Sequence, residues 1–521
     1  MDLLLNKFSK IIKGVITGFD RIVFKGMLQP IMYSMGMMSF LYSRNVLNKD
    51  FKEYAMKQSK KIIQPAEELS KRLFGCAPIY IPSSNTRKEE LAHKKLKEIG
   101  IYSGIIGIWT CVESCGTFRS TFNPTAAYPI LNWEQSRCKH LYYYLDHPVY
   151  GFMSVRLQTW APYEIQISLN GREWLKRSLD ANGCGYLLCG NKFLHIDDYN
   201  LAQDLLDAQL DVDFQKLLNG FLPIVFPNMT EVVGDKMSYY WTLWQSEVAK
   251  DYIFESPQAL NPLMDDLLRF SIISGTGDRI LKYFGAPVKP NGQPHPNSNP
   301  ELMSRVNFWY DGLRVRHWNG KNSVKFYNEQ NVLRFETTIN DPGQIKIHRH
   351  TNKQDKSEPK KLLPMRKGIA DINQRVKISR NIADRFTDHM SAMEEKTLLG
   401  ELISPITKPL TVGSKRVRAL DPFGKDLELL RAISDPAFGL LGFTNKDLQA
   451  KLKYTSWAKG MSGKKLSGRI SRHLALLRKH CLIKKLPNQR KYILTDKGRK
   501  ATASIHAAWA SSVNDLLRLA A

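Results

Sequence analysis

Asn322–Ile339 reads NSVKFYNEQNVLRFETTI and predicts a strand, a tight turn at Asn328–Asn331 and a second strand. Side chains alternate across a strand, so Val324 and Phe326 point one way, and Lys325 and Tyr327 the other. After the turn Leu333, Phe335 and Thr337 share one face, and Arg334 and Glu336 share the opposite face. Paired as a hairpin, the two strands offer an apolar face and a face carrying Lys325, Tyr327, Arg334 and Glu336. The apolar face implies a sheet packed on a core. The polar face has two readings. It is either a solvated surface or a nucleophile, two charge stabilisers and a metal ligand held on a rigid support, which is what phosphodiester transfer needs.

Composition narrows the partners. The chain has 521 residues, a length for about three domains. Lys and Arg number 76 against 49 Asp and Glu, giving a net charge of +27. That points to a polyanionic partner, nucleic acid before a membrane surface. Lys7, Lys10 and Lys13 interrupt the apolar residues of Met1–Lys13, so no signal peptide is expected. No apolar run approaches the ~20 residues of a membrane span. Seven cysteines at unpatterned spacing suit reduced thiols and a cytoplasmic location.

The pattern predicts an α+β protein: a mixed or antiparallel sheet body with helical insertions. Residues 1–197 form its first part. Asp20 lies in the middle of a first strand over residues 14–28 and is a candidate metal or hydrogen-bonding group. Further strands fall at His140–Leu145, Gly151–Trp160 and Tyr163–Leu169, with Arg156, Gln158 and Trp160 sharing a face that suits phosphate and base, or a plain polar surface. Residues 198–284 read as helical. There Glu247 and Asp251, spaced i,i+4, share a helix face and could hold a divalent metal. Residues 285–300 are a proline-rich linker. Residues 301–397 carry the hairpin, and Arg314 and Arg316 on the strand before it are candidate nucleic-acid contacts. Residues 398–418, with Pro405, Pro409 and Gly413, read as a second linker.

Residues 419–521 have the order of a winged helix. Helices are predicted over Asp426–Ser434, Lys446–Leu452 and Lys464–His480, then a hairpin through Pro487–Arg490 and a final helix. The third helix carries Lys464, Lys465, Arg469, Arg472, His473, Arg478 and Lys479, with Leu466, Ile470, Leu474 and Leu477 inward. Arg490 and Lys491 belong to the wing. From Lys415 onward 23 Lys and Arg face 7 Asp and Glu, more than half the net charge of the chain. The run from Arg472 to Lys500, RHLALLRKHCLIKKLPNQRKYILTDKGRK, resembles the winged-helix domains of MarR-like transcriptional regulators, including their Y-x-L-T-x-x-G close. The resemblance implies a nucleic-acid-binding domain.

A shorter resemblance concerns the hairpin. Lys325-Phe-Tyr-Asn328 with Leu333-Arg-Phe-Glu336 is similar to the tyrosine-bearing stretch of plasmid rolling-circle replication initiators. It implies Tyr327 as nucleophile, Glu336 as metal ligand or base, Lys325 and Arg334 as phosphate stabilisers, and Mg²⁺ or Mn²⁺ as cofactor, with Asp20 a second acid. The expectation is a DNA-binding nickase or strand transferase of a mobile element or plasmid; a regulator would instead form a symmetric homodimer through the final helix. The rival readings are a non-catalytic winged-helix regulator and an RNA-binding protein. Cys111, Cys115, Cys138 and His140 lack zinc-site spacing and read as structural.

Overall fold

The computed structural model describes the chain apart from residues 1, 83–87, 101–102, 126, 287–300, 310–311, 352–358, 394–397, 436–437, 439–441, 487–488 and 514–521. Thirteen strands matter here. They are β1 (Ile12–Met27), β2 (Ile79–Tyr80), β3 (Gly104–Asn123), β4 (Tyr128–His147), β5 (Gly151–Gln158), β6 (Ile165–Asn170) and β7 (Tyr186–Cys189), then β8 (Lys192–Ile196), β9 (Tyr240–Phe254), β10 (Leu302–Trp309), β11 (Gly312–Asn319), β12 (Asn322–Glu329) and β13 (Val332–Ile339). The protein is α+β, and its chain divides into two units. The sheet unit comprises Gly14–Ile253 and Glu336–Arg380; the terminal unit comprises Met1–Lys13, Phe254–Phe335 and Asn381–Ala521. The units interleave along the chain, so neither coincides with one of the segments 1–197, 198–284 or 301–397.

In the sheet unit the strands run β9-β1-β6-β5-β4-β3-β2, with the second half of β13 beside β9. β1 to β6, β6 to β5, β5 to β4 and β4 to β3 pair antiparallel, and β2 joins β3 in parallel. β1 is rich in β-branched and aromatic residues, a composition that fits a pleated surface. Its Phe19, Ile22 and Phe24 enter a core with Leu141, Val155, Ile167 and Trp241. The helix Phe51–Phe74 lays Phe51, Ala55, Ile62 and Ala66 on that core and ends at Gly75, whose φ of 70° forms a left-handed cap. Trp241 is among the largest fully buried side chains. Truncating such a residue costs about 3–5 kcal/mol.

In the terminal unit β10, β11 and β12 pair antiparallel in sequence order, with β13 next to β12. The C-terminal part has helices Leu427–Ile433, Asn445–Leu452, Gly463–Lys479 and Asp496–Ala510 around a three-stranded sheet. Thr444 and Asp447 cap each other's backbone at the second helix in a reciprocal capping box. Leu466, Ile470, Leu474 and Leu477 are buried with Leu430, Phe443 and Ile505.

Three expectations need correction. Tyr239–Glu255 is not helical but is the long strand β9. Its run from Val248 to Phe254 is buried at every position, and a strand covered on both faces loses the alternation that marks strands in sequence. Residues 398–418 are not a linker. They hold the helix Leu399–Thr407 and a strand pair, Leu410–Val412 with Lys415–Val417, and Ile403, Ile406 and Val417 are buried. The polar face of the hairpin is not solvated: Tyr327 is 4% exposed, Arg334 0% and Glu336 2%. Most of the expected 285–300 linker, the wing turn at 487–488 and the end of the last helix lie outside the described residues.

Candidate metal centre

Asp20 on β1, Glu247 on β9 and Glu336 on β13 come together in the sheet unit. One carboxylate oxygen from each lies within 4.8 Å of the others, with Asp20 and Glu336 buried and Glu247 half-buried. Among the described residues this is the one group of three or more His, Cys, Asp or Glu side chains placed to share an ion. The spacing suits a hard cation. Ligands about 2.1 Å from Mg²⁺ stand roughly 3.0 Å apart when adjacent and roughly 4.2 Å apart when opposite. Carboxylate oxygens are the donors such ions take.

Each acid also accepts a hydrogen bond from a neutral group. Asn191 Nδ2 donates to Asp20 Oδ1 at 2.6 Å, Gln245 Nε2 to Glu247 Oε1 at 2.8 Å, and Thr338 Oγ1 to Glu336 Oε1 at a longer 3.4 Å. Such donors fix carboxylate orientation. Asn191 follows Gly190, whose φ is 59°, at the turn between β7 and β8, and Lys192 after it is buried. The sequence marks this turn only by its Gly-Asn pair and says nothing of its reach to β1. Asn191→Ala is expected to weaken Mn²⁺ binding about tenfold or more. Titration calorimetry on the folded variant reads that loss directly.

Asp251, the fourth acid proposed from sequence, is not in the group. Glu247 and Asp251 share a strand face, but four residues of strand separate them by about 13 Å. Asp251 is instead ion-paired with Arg172 Nη2 at 3.0 Å, both side chains 1% exposed, and the same nitrogen donates to Ala249 O at 3.0 Å. Arg172 reaches that depth because its helix, Gly171–Ala181, starts hard against β1. A Cβ on Gly171 would lie 2.3 Å from Phe19 O, so only glycine allows the approach. Asn170 caps this helix by accepting from the Arg172 and Glu173 backbone amides.

Tyr327, Lys325 and Arg334 belong to the terminal unit. Arg314 stands opposite Tyr327, and Arg316 opposite Lys325, on paired strands. The Arg314 guanidinium lies 4.9 Å and Lys325 Nζ 5.3 Å from the centre of the Tyr327 ring. Four of the residues proposed from sequence therefore share one face of β11–β12.

On the basic helix Gly463–Lys479, Lys464, Lys465, Arg472, Arg478 and Lys479 are exposed, as is Arg490, whereas Lys491 is half-buried. Arg469 and His473 do not project freely. Both pack on Trp457, the guanidinium 4.6 Å and the imidazole 4.9 Å from the indole ring. A cavity of about 340 Å³ beside this helix is lined by Arg418, Arg472, His473 and Lys479 among others.

Arg156 and Gln158 are committed internally. Glu113 accepts from Arg156 Nε at 3.1 Å, Lys88 Nζ at 2.9 Å and Tyr142 Oη at 2.6 Å. Arg156 Nη2 lies 3.0 Å from His140 Nε2, which makes Nε2 the acceptor and leaves Nδ1–H to donate to Cys138 O at 3.1 Å. Gln158 Nε2 donates to Gly116 O and Trp160 O. Burial and the Arg156 charge hold His140 down at about 4. Glu113 is raised by burial, but hydrogen bonds from Tyr142 and Lys88 outweigh this and bring it to about 2. For both groups the unfolded chain binds more protons, so stability falls with acid: between about pH 6.5 and 4 for His140, and below about pH 4.5 for Glu113. The His140 part amounts to roughly 3 kcal/mol. Urea midpoints measured from pH 7 to pH 4 should fall steeply in the wild type and less in His140→Gln.

No family model matches the chain, and no curated protein or solved structure shows significant similarity to it. Among the described residues no helix is long and apolar enough to cross a membrane.

Proposed function

We propose that this protein binds nucleic acid, DNA in preference to RNA, and cuts its phosphodiester backbone with a divalent cation held by Asp20, Glu247 and Glu336. The observation that carries the reading is the meeting of three carboxylates from three neighbouring strands. Acids so close repel one another, and a cation between them turns that repulsion into binding. The bound ion would lower the pKa of a water, supply the nucleophile at neutral pH and stabilise charge on the phosphate.

Nucleic acid as the partner is supported by the charge of +27 and by its concentration after Lys415. The exposed cations of Gly463–Lys479, with Arg490 beyond the following strand, fit the winged-helix reading, in which a helix enters the major groove and a wing touches phosphate.

The test is incubation of the purified protein with labelled supercoiled and single-stranded DNA, with Mg²⁺, Mn²⁺ or EDTA. Cation-dependent nicking that leaves free ends supports hydrolysis. Nicking that leaves DNA covalently on the protein, and that Tyr327→Phe abolishes, assigns the nucleophile to Tyr327, whose ring has Arg314 and Lys325 beside it. Tight, salt-sensitive binding without cleavage under any cation overturns the catalytic reading and leaves a regulator.

A further inference from the structure

The cavity beside the basic helix is built on one helical stripe. Arg472, Ala475, Leu476 and Lys479 stand at i, i+3, i+4 and i+7, so they share a face of Gly463–Lys479 over roughly 10 Å of helix. A long cation closes each end of the stripe. The short Ala475 between them leaves the hollow open. Val417 and Arg418 form the facing wall.

The charges around this hollow differ in availability. Arg418 is committed to Asp426, with Nη1–Oδ2 and Nη2–Oδ1 both at 2.8 Å, and its carbonyl accepts from His480 Nε2 at 2.9 Å. It is a fixed wall more than a free charge. His473 donates Nδ1–H to Arg469 O at 2.8 Å and is held in the same way. Arg472 and Lys479 are exposed and make no ion pair among the described residues. None of the seven lining residues is acidic. Two uncompensated cations on one concave surface attract an anion.

We infer that this cavity binds a phosphomonoester together with the nucleoside that carries it, the phosphate between Arg472 and Lys479 and the apolar part of the nucleoside against Val417, Ala475 and Leu476. A terminal phosphate carries about 1.5 to 2 negative charges at pH 7, against a single charge for a linkage inside a strand. Two free cations match the terminal form. The volume of about 340 Å³ exceeds what a bare phosphate fills and falls within the range of small-molecule clefts. Two sources offer this chemistry: a free mononucleotide, and the 5′-phosphorylated end of a strand. Only the second rests on the nucleic-acid reading above.

Fluorescence anisotropy at fixed salt compares an oligothymidine bearing a 5′-phosphate with its 5′-hydroxyl twin, both labelled at the 3′ end. Calorimetry compares thymidine 5′-monophosphate with thymidine. The proteins are the wild type, Arg472→Gln/Lys479→Gln and Lys408→Gln/Lys453→Gln. The last pair loses the same charge from exposed residues outside the cavity. The wild type should prefer the phosphorylated member of at least one comparison by about tenfold or more. Arg472→Gln/Lys479→Gln should erase that preference to within about twofold, and the control pair should keep it. Glutamine suits a helix and both replaced side chains are exposed, so the fold is retained, which an unchanged melting temperature checks. A preference confined to the oligonucleotides assigns strand ends, one confined to the mononucleotide assigns a free nucleotide, and one in both assigns a pocket that takes either. No preference in either comparison overturns the inference, as does one that survives in Arg472→Gln/Lys479→Gln. If thymidine monophosphate binds through these cations but no DNA is bound, the nucleic-acid reading fails and the inference stands. If DNA is bound and cut with no preference in either comparison, the reverse holds.

Discussion

Glu336→Gln is expected to lower cation-dependent cleavage by at least ~10³-fold while leaving DNA binding within about twofold. Glutamine keeps the shape and can still accept from Thr338, while the anionic charge is lost. The cations of the terminal helix lie in the other unit and are untouched. Asp20→Asn should behave alike, because a hard ion loses an anionic ligand in either case. A readout independent of activity accompanies this one. A cation at 100 times its Kd should stabilise the wild type by about 2.7 kcal/mol against unfolding. Neither variant should show that stabilisation. A full cation-induced shift in Glu336→Gln would place the ion elsewhere and sink the centre described here.

Arg172→Met is expected to destabilise the protein by about 3–5 kcal/mol, because it strips the cation from a carboxylate deep in the sheet unit. At about 2.1 cal/mol/K of unfolding entropy per residue, that is a fall in melting temperature of roughly 3–5 °C for a chain of 521 residues. The double change Arg172→Met/Asp251→Leu should recover most of the loss, since it removes the buried charge along with its partner. Thermal unfolding of the three variants separates the possibilities. A double variant no more stable than Arg172→Met would mean that Asp251 has a role beyond the ion pair. Cleavage also matters here: Asp251 lies about 13 Å along β9 from Glu247, so the double variant, once folded, should retain the wild-type cation shift.

The metal centre was partly legible before the fold was known. Asp20 stands out as an acid inside an apolar strand, and Glu336 as an acid opposite an apolar hairpin face. Glu247 and Asp251 stand at helix spacing in the sequence, but β9 is a strand. The i,i+4 pair keeps one face in either geometry, but a helix would set the two acids about 6 Å apart at the rise of 1.5 Å per residue, and the strand sets them more than twice as far. Asn191 carries no local signal, because its bond to Asp20 spans 171 residues of chain; Gln245 is two residues from Glu247 and becomes its same-face donor only when the segment is a strand.

By itself the sequence determined what depends on neighbours in the chain: the strand periods of β12 and β13, the capped helix at Asn445–Leu452, the inward stripe of Gly463–Lys479 and the excess of positive charge. Only the tertiary structure decided which acids meet. Strand order is set by long-range pairing and by burial on both sheet faces. It brings β1, β9 and β13 side by side, sends Asp251 to Arg172, and leaves β3 and β4 to run on past their neighbours as a ribbon.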